Sequence, residues 1–160
     1  MDYIIREGVA GDMPQALQLI KELAVFEKEP DAVEVTVDDL VKEGFGNKPL
    51  FHCFVAETSV GEIVGLALVY FRFSTWKGRT VHLEDLIVRE SMRGSGIGMA
   101  LYKRVMQYGT EKGVKRVEWN VLDWNTPAVN FYLKSGAKIL EGWQVVQMDE
   151  QGLQAFVSKN

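Results

Sequence analysis

The chain has 160 residues, enough for one domain with a real core, and its 47% hydrophobic and 25% charged residues are the balance of a soluble globular protein. Its formal net charge of −4, with no clustered basic stripe, argues against nucleic acid as a partner and suits a cationic one. One cysteine, Cys53, excludes an intrachain disulfide and points to a reducing compartment, while the absence of a membrane-length apolar run or a signal-peptide pattern at the start points to the cytoplasm, with no membrane partner.

In chain order, Tyr3–Arg6 reads as a short strand. Asp12 is placed as an N-cap with Pro14 in the first turn, and Met13, Ala16, Leu17, Ile20, Leu23 and Ala24 give a helical apolar face. The polar run Glu27–Asp31 ends that helix. Thr36 opens a second helix, with Asp39 three residues on as a variant capping box, and residues 44–49 close it. Residues 51–57 and 62–73 read as strands of a hairpin, and residues 75–79 as the next turn. Cys53 lies within the first of these strands as a buried structural thiol. Val81–Val88 is an apolar strand, and Ile97, Leu101, Val105 and Tyr108 follow at helical steps until Gly113. Val114–Leu122 reads as a long central strand. Thr126-Pro127 starts a short helix that Gly136 ends. Two further strands are expected at 137–140 and 144–148, and Leu153, Phe156 and Val157 suggest a last short helix. The expected order is β-α-α-β-β-β-α-β-α-β-β, an α/β chain with a mixed sheet, without repeat, linker or low-complexity tract.

The chemistry concentrates between the strand at 81–88 and the helix after it. There a basic, glycine-spaced loop, Arg93-Gly94-Ser95-Gly96-Ile97-Gly98, opens the helix. Backbone N–H groups at a helix N-terminus lack carbonyl partners and, with the helix dipole, attract an anion. Glycines let a phosphate chain reach the bare backbone. A dinucleotide fingerprint fails in both frames, because Met99 and Leu101 occupy the third glycine position. A nucleoside-triphosphate loop fails because no Gly-Lys-Ser/Thr follows. An ordinary strand-to-helix turn, with glycines for tightness alone, is the other reading.

Arg93-x-x-Gly96-x-Gly98 resembles the pyrophosphate-binding motif of the GCN5-related N-acetyltransferases, which hold coenzyme A there. The resemblance extends over most of the chain. Gly44-Phe45-Gly46 with Phe51-His52-Cys53, Ser74-Thr75-Trp76-Lys77-Gly78-Arg79, His82-Leu83-Glu84-Asp85-Leu86, Leu122-Asp123-Trp124-Asn125 with Phe131-Tyr132, and Gly142-Trp143 are similar to the diamine (spermidine/spermine) and thialysine branch, closer to the thialysine type. It implies a single N-acetyltransferase domain over 1–160: a mixed, mostly antiparallel sheet with helices on both faces. It also implies acetyl-CoA as co-substrate, a small-molecule amine as substrate, no metal, and a homodimer.

The resemblance also implies site residues. Leu86, Ile87 and Val88 at the strand end, the loop Arg93 to Met99, Asn125, Thr126, Pro127, Ala128 and Tyr132 match coenzyme contacts, with a backbone N–H of Ile87 or Val88 toward the acetyl carbonyl and Tyr132 as the acid for the leaving thiolate. Phe26, Glu27, Ser74, Trp76, Glu84, Asp85, Glu118, Trp119, Asn120, Glu141 and Trp143 match positions near the amine. The residues themselves support this chemistry. An alkyl amine of pKa about 10.4 is almost wholly protonated at pH 7, so a carboxylate that attracts the cation and takes a proton is needed. Glu84 is the best-placed acid by sequence; a strand-face acid paired with Arg79 is the other reading. Strand alternation points Asp85 to the opposite face, as second choice. For Trp76 and Trp143, packing and a cation–π contact both remain open. Ser74 stands where the polyamine enzymes carry an aspartate, which removes one carboxylate for a second ammonium. Direct attack in a ternary complex is expected, because no cysteine or serine is set up as an acyl carrier. The alternatives are acetylation of protein amines and a non-catalytic acyl-CoA-binding module.

Overall fold

A computed structural model describes residues 2–159. It falls into two compact units, residues 1–120 and 121–160. The ends of the expected 1–160 domain, residues 1 and 160, lie outside the described residues.

The first unit is a five-stranded sheet in sequential order: β1 (Tyr3–Glu7), β2 (His52–Thr58), β3 (Ile63–Ser74), β4 (Gly78–Val88) and β5 (Val117–Glu118). The first three pairings are antiparallel and the last is parallel, so the sheet is mixed and mostly antiparallel. Helices α1 (Met13–Phe26) and α2 (Val37–Phe45) cover one face, where Met13, Ala16, Leu19 and Leu40 pack with Val55, Leu66, Leu68 and Ile87. Helix α3 (Ile97–Glu111) covers the other. Its Ile97, Leu101, Val105 and Tyr108 meet Phe54, Val69, Val81 and Leu83 at the spacing read from the sequence. Gly65 on β3 is what lets the helix come so close: a Cβ there would meet Ile97 and Leu101 side chains at 2.9 Å.

The capping box of α2 forms as expected, with Thr36 Oγ1 accepting from Asp39 N at 3.2 Å and Asp39 Oδ2 accepting from Thr36 N at 2.9 Å. Asp12 does occupy the N-cap position of α1, but its side chain does not cap the helix. The carboxylate instead accepts two bonds from Arg6, at 2.7 and 2.9 Å, and one from Val9 N at 2.8 Å. Arg6 Nε donates to Glu57 at 2.6 Å, so one guanidinium ties β1, β2 and the entry to α1 together.

Two expectations for the strands fail. The long central strand at 114–122 reduces to Val117–Glu118 at the sheet edge, paired only with Val81 and His82. Beyond His82, β4 runs six residues further with no strand beside it on that edge, among the described residues. The second unit has helices α4 (Thr126–Lys134) and α5 (Glu150–Lys159), and the strands expected at 137–140 and 144–148 do not form. Those segments are rich in apolar residues but have no ladder partner, and the large apolar side chains are exposed, Val146 to 90%.

The Arg6 network yields a stability test. Asp12→Ala removes three acceptor bonds from a site that is buried on the Asp12 side, at a cost of about 2–3 kcal/mol. Arg6 holds the Asp12 carboxyl below its ordinary range, so the pair stabilises the fold above the unfolded-state pKa and is lost as pH falls through the lower folded value. Urea unfolding should therefore show the deficit in full at pH 7 and a shrinking one below pH 4.

Candidate active site

The loop between β4 and α3 has the geometry of an anion seat. A 3₁₀ turn at Glu90–Met92 leads to Arg93, and Gly94 and Gly96 take φ values of 79° and 88°, a left-handed backbone that side chains disfavour. Gly96 is the N-cap of α3, and no side chain caps that helix. Its first free carbonyl is taken by Ala100 N at 3.0 Å, which leaves the earlier N–H groups of the turn without helical partners. Ser95 Oγ folds back onto Met92 O at 2.5 Å and Arg93 Nε reaches Val88 O at 3.3 Å, so these side chains brace the loop without engaging the N–H groups from Gly94 to Met99. Arg93 also lies over the Phe26 ring, 5.1 Å from its centroid, which ties the end of α1 to the loop. Gly98, inside the helix, has ordinary room: a Cβ would stand 3.6 Å from Val88. Leu86, Ile87 and Val88 form the strand end leading into this loop, with Ile87 buried and the N–H groups of Ile97 and Met99 in the first turn.

Glu84 sits at a break in strand register. Leu68 pairs with Asp85 and Val69 with Leu83, so Glu84 is an extra residue in β4. Before it, Val81 and Leu83 face α3; after it, Leu86 and Val88 do, and Ile87 faces α1 and α2. The bulge thus turns both Glu84 and Asp85 away from α3. The opposite-face placement of Asp85 expected from alternation is corrected: alternation slips by one residue between the two acids.

The two acids have different surroundings. Glu84 Oε2 accepts from Tyr70 Oη at 2.8 Å and lies 3.3 Å from His82 Nε2. His82 first, and then Tyr70, hold the Glu84 carboxyl below its ordinary range against a partial desolvation cost. Arg79 is not its partner but stacks over Phe71. Asp85 is half-buried, and desolvation, reinforced by the negative charges of Glu84 and Glu27, pushes its carboxyl up to about 6. Glu27, just after α1, is also raised, by desolvation. Asp85 therefore feels the negative charge of both Glu84 and Glu27.

The remaining expected substrate residues divide. Ser74 Oγ accepts from Trp76 N at 3.2 Å and Lys77 N at 3.1 Å, so it closes the β3–β4 turn. Trp76 projects from that turn, 82% exposed, which removes the core-packing reading. Glu118 is spoken for: Arg72 Nη1 lies 2.9 Å and Arg116 Nε 2.8 Å from its two oxygens. Trp119 is half-buried against Tyr102, and Asn120 ends the first unit in an exposed position. In the second unit, Asn125 Oδ1 caps α4 by accepting from Ala128 N at 3.4 Å, with Thr126 and Pro127 in its first turn. Tyr132 is half-buried on α4 in edge contact with Phe131. Glu141 and Trp143 lie in the segment after α4, where neither packs within the second unit. Cys53 is buried and its thiol is pushed up to about 12, mainly by desolvation, which disqualifies it as a nucleophile.

Sequence reading missed Tyr70, Arg72 and His82. The available signal was spacing: Tyr70/Arg72 and His82/Glu84 are i, i+2 pairs on neighbouring strands, which places all four on one face.

Comparison with known proteins identifies the family and the fold. The model of the Acetyltransferase (GNAT) family matches residues 15–137. Thialysine N-epsilon-acetyltransferase of Bos taurus is 39% identical over 166 residues, covering 98% of each chain. Spermidine/spermine N(1)-acetyltransferase-like protein 1 of Homo sapiens is 39% identical over 163 residues, covering 96% of this chain and 24% of that protein. An integron cassette protein from V. cholerae has the same fold, with a TM-score of 0.80 at 21% identity over 98% of both chains.

The raised Asp85 carboxyl has a consequence for stability. An acid that titrates higher in the folded state than in the unfolded one loses stabilising effect as pH rises through that folded value, here about 6. Asp85→Asn should therefore raise the Tm at pH 7.5 and leave it nearly unchanged at pH 4, as read by calorimetry.

Proposed function

This chain belongs to the GNAT family of acetyltransferases, and from that membership we propose that it transfers acetyl from acetyl-CoA to the primary amine of a small cationic molecule of the thialysine or lysine type. The observation that carries the substrate reading is the adjacency of Glu84 and Asp85 at the bulge, on the face of β4 turned away from α3, with Glu27 close enough to act on Asp85. A metal is not part of the mechanism. The family match runs through both compact units, which supports a single acetyltransferase domain over 1–160.

Each residue has a task in this proposal. The N–H groups of the turn from Gly96 to Met99 hold the pyrophosphate, and the Arg93 guanidinium adds charge to the seat. Acetyl-CoA supplies the thioester carbonyl that the amine attacks. Glu84, held ionised, fixes the ammonium. The proton goes to the Glu84–Asp85 pair, with Asp85 the more basic member, and the neutral amine then attacks directly. The N–H groups of Ile87 or Val88 stabilise charge developing on the acetyl oxygen. Tyr132 protonates the departing thiolate, as the resemblance implies. Burial of Cys53 supports a ternary complex over an acyl-enzyme.

Ser74 inclines the reading toward short amines. A polyamine needs carboxylates spaced along its length, each exposed pairing being worth about 0–1 kcal/mol, and position 74 has a neutral hydroxyl committed to a turn. The proposal includes a homodimer in the cytoplasm. Exposure of Phe73 (79%) and Trp76 (82%) supports the former, and among the described residues no helix is long and apolar enough to cross a membrane.

Two measurements test the proposal. A screen of primary amines with acetyl-CoA, followed by thiol release, should give thialysine or lysine a higher kcat/KM than spermidine; a tenfold preference for spermidine would reject the substrate class. Gly98→Asp is the cleaner loop variant, because Gly98 has room for a side chain whereas Gly96 is also held by its positive φ. It should fold and bind coenzyme A at least tenfold more weakly by calorimetry, since its carboxylate repels a pyrophosphate on the same turn. Unchanged affinity would remove the loop from the mechanism.

A further inference from the structure

His82 is buried, with 6% of its surface exposed, at the point where β4 still has neighbours on both sides. Its two ring nitrogens have different partners. Arg72 Nη1 lies 3.2 Å from Nδ1, and Glu84 Oε2 lies 3.3 Å from Nε2. A guanidinium only donates, so Nδ1 is the acceptor and the ring proton sits on Nε2, facing the carboxylate. Arg72 is itself fixed by Glu118, which Arg116 holds from its other oxygen. The chain Arg116–Glu118–Arg72–His82–Glu84 crosses three strands, with donors facing acceptors at every step. Tyr70 meets it from β3, with its ring 5.1 Å from the imidazole and its hydroxyl on the same Glu84 oxygen.

We propose that His82, held in one tautomer by Arg72, is a positioning residue for acetyl transfer: with Tyr70 it occupies Oε2 of Glu84 and leaves Oε1 to the substrate ammonium. This rests on the reading of Glu84 as the anion that meets the amine. A flexible glutamate at a bulge would otherwise sample several rotamers and share both oxygens with solvent. Two donors on one oxygen fix the side chain and keep it ionised, so the pair places the proton on Asp85. The charged and titratable groups facing this cluster are Tyr70 and Arg72 from β3, His82, Glu84 and Asp85 from β4, Glu118 from β5, Arg116 just before it, and Glu27 after α1.

The test uses His82→Phe, which keeps an aromatic ring against Tyr70 and removes both nitrogens, and His82→Gln, which restores one donor and one acceptor. Arg72→Met, at an exposed side chain, frees the imidazole without touching the core. In His82→Phe, carbon-13 NMR of the Glu84 carboxyl should show titration at higher pH than in the wild type. The acid limb of kcat/KM should move the same way, with kcat down about tenfold and the KM for acetyl-CoA unchanged. His82→Gln should recover part of each effect, and Arg72→Met should reproduce them in milder form. If His82→Phe proves unfolded, the Arg72→Met titration decides. An unshifted Glu84 titration, or a loss equal at every pH and not relieved by glutamine, overturns the proposal. Glu84→Gln is run beside them: wild-type activity in that variant would overturn the role of Glu84 itself, whatever His82 does.

Discussion

The close approach of α3 to the sheet at Gly65 is the constraint on which the first unit depends. Ile97 and Leu101 are fully buried against that glycine, in a gap that a methyl group would fill. Side chains of this kind are worth about 1.5–3 kcal/mol each when buried. Their contact with β3 fixes the helix axis relative to the strands, and β4 lies directly beside β3. Once the axis is set, the first turn of α3 must open at the end of β4. The loop from Glu90 to Gly96 then has to turn sharply, and the left-handed glycines at 94 and 96 make that turn. Packing and ligand chemistry are therefore coupled through one distance.

The ion network at the other end of the sheet works in the opposite sense. Arg6, Asp12 and Glu57 use full charges to join β1, β2 and the start of α1, and none of them stays available for a ligand. At Glu84 and Asp85 the balance is uneven: His82 and Tyr70 hold the first carboxylate ionised, while burial and neighbouring negative charge raise the second. The first unit thus separates paired charges, which serve the fold, from a carboxylate cluster that strains it. Glu118 illustrates the boundary: it lies one strand away from Glu84, but two arginines place it with the structural group.

Much of this was legible in the sequence because it rests on local rules. The helical steps of α1 and α3, the capping box at Thr36 and Asp39, and the glycine-spaced loop each follow from nearest-neighbour chemistry. What was not legible depends on pairing across the sheet. The slip between Glu84 and Asp85 is set by which residues of β3 lie opposite, so alternation along β4 alone misplaced Asp85. The side chain of Asp12 was claimed by an arginine six residues earlier, which outcompeted a helix cap. Val114–Leu122 and residues 144–148 have the composition of strands, but a strand exists only where another chain segment offers its hydrogen bonds, and β5 finds two such residues.

The bulge has one more implication. Omit Glu84, and β4 reads Leu83, Asp85, Leu86, Ile87, Val88 in unbroken alternation, with Leu83, Leu86 and Val88 toward α3 and Ile87 toward α1. Every apolar contact of the strand survives that omission. Residue 84 is surplus to the packing of the strand: no apolar contact of β4 depends on it. A chain of this shape without residue 84 would keep the same apolar packing along β4 and lose only the anion that Tyr70 and His82 hold.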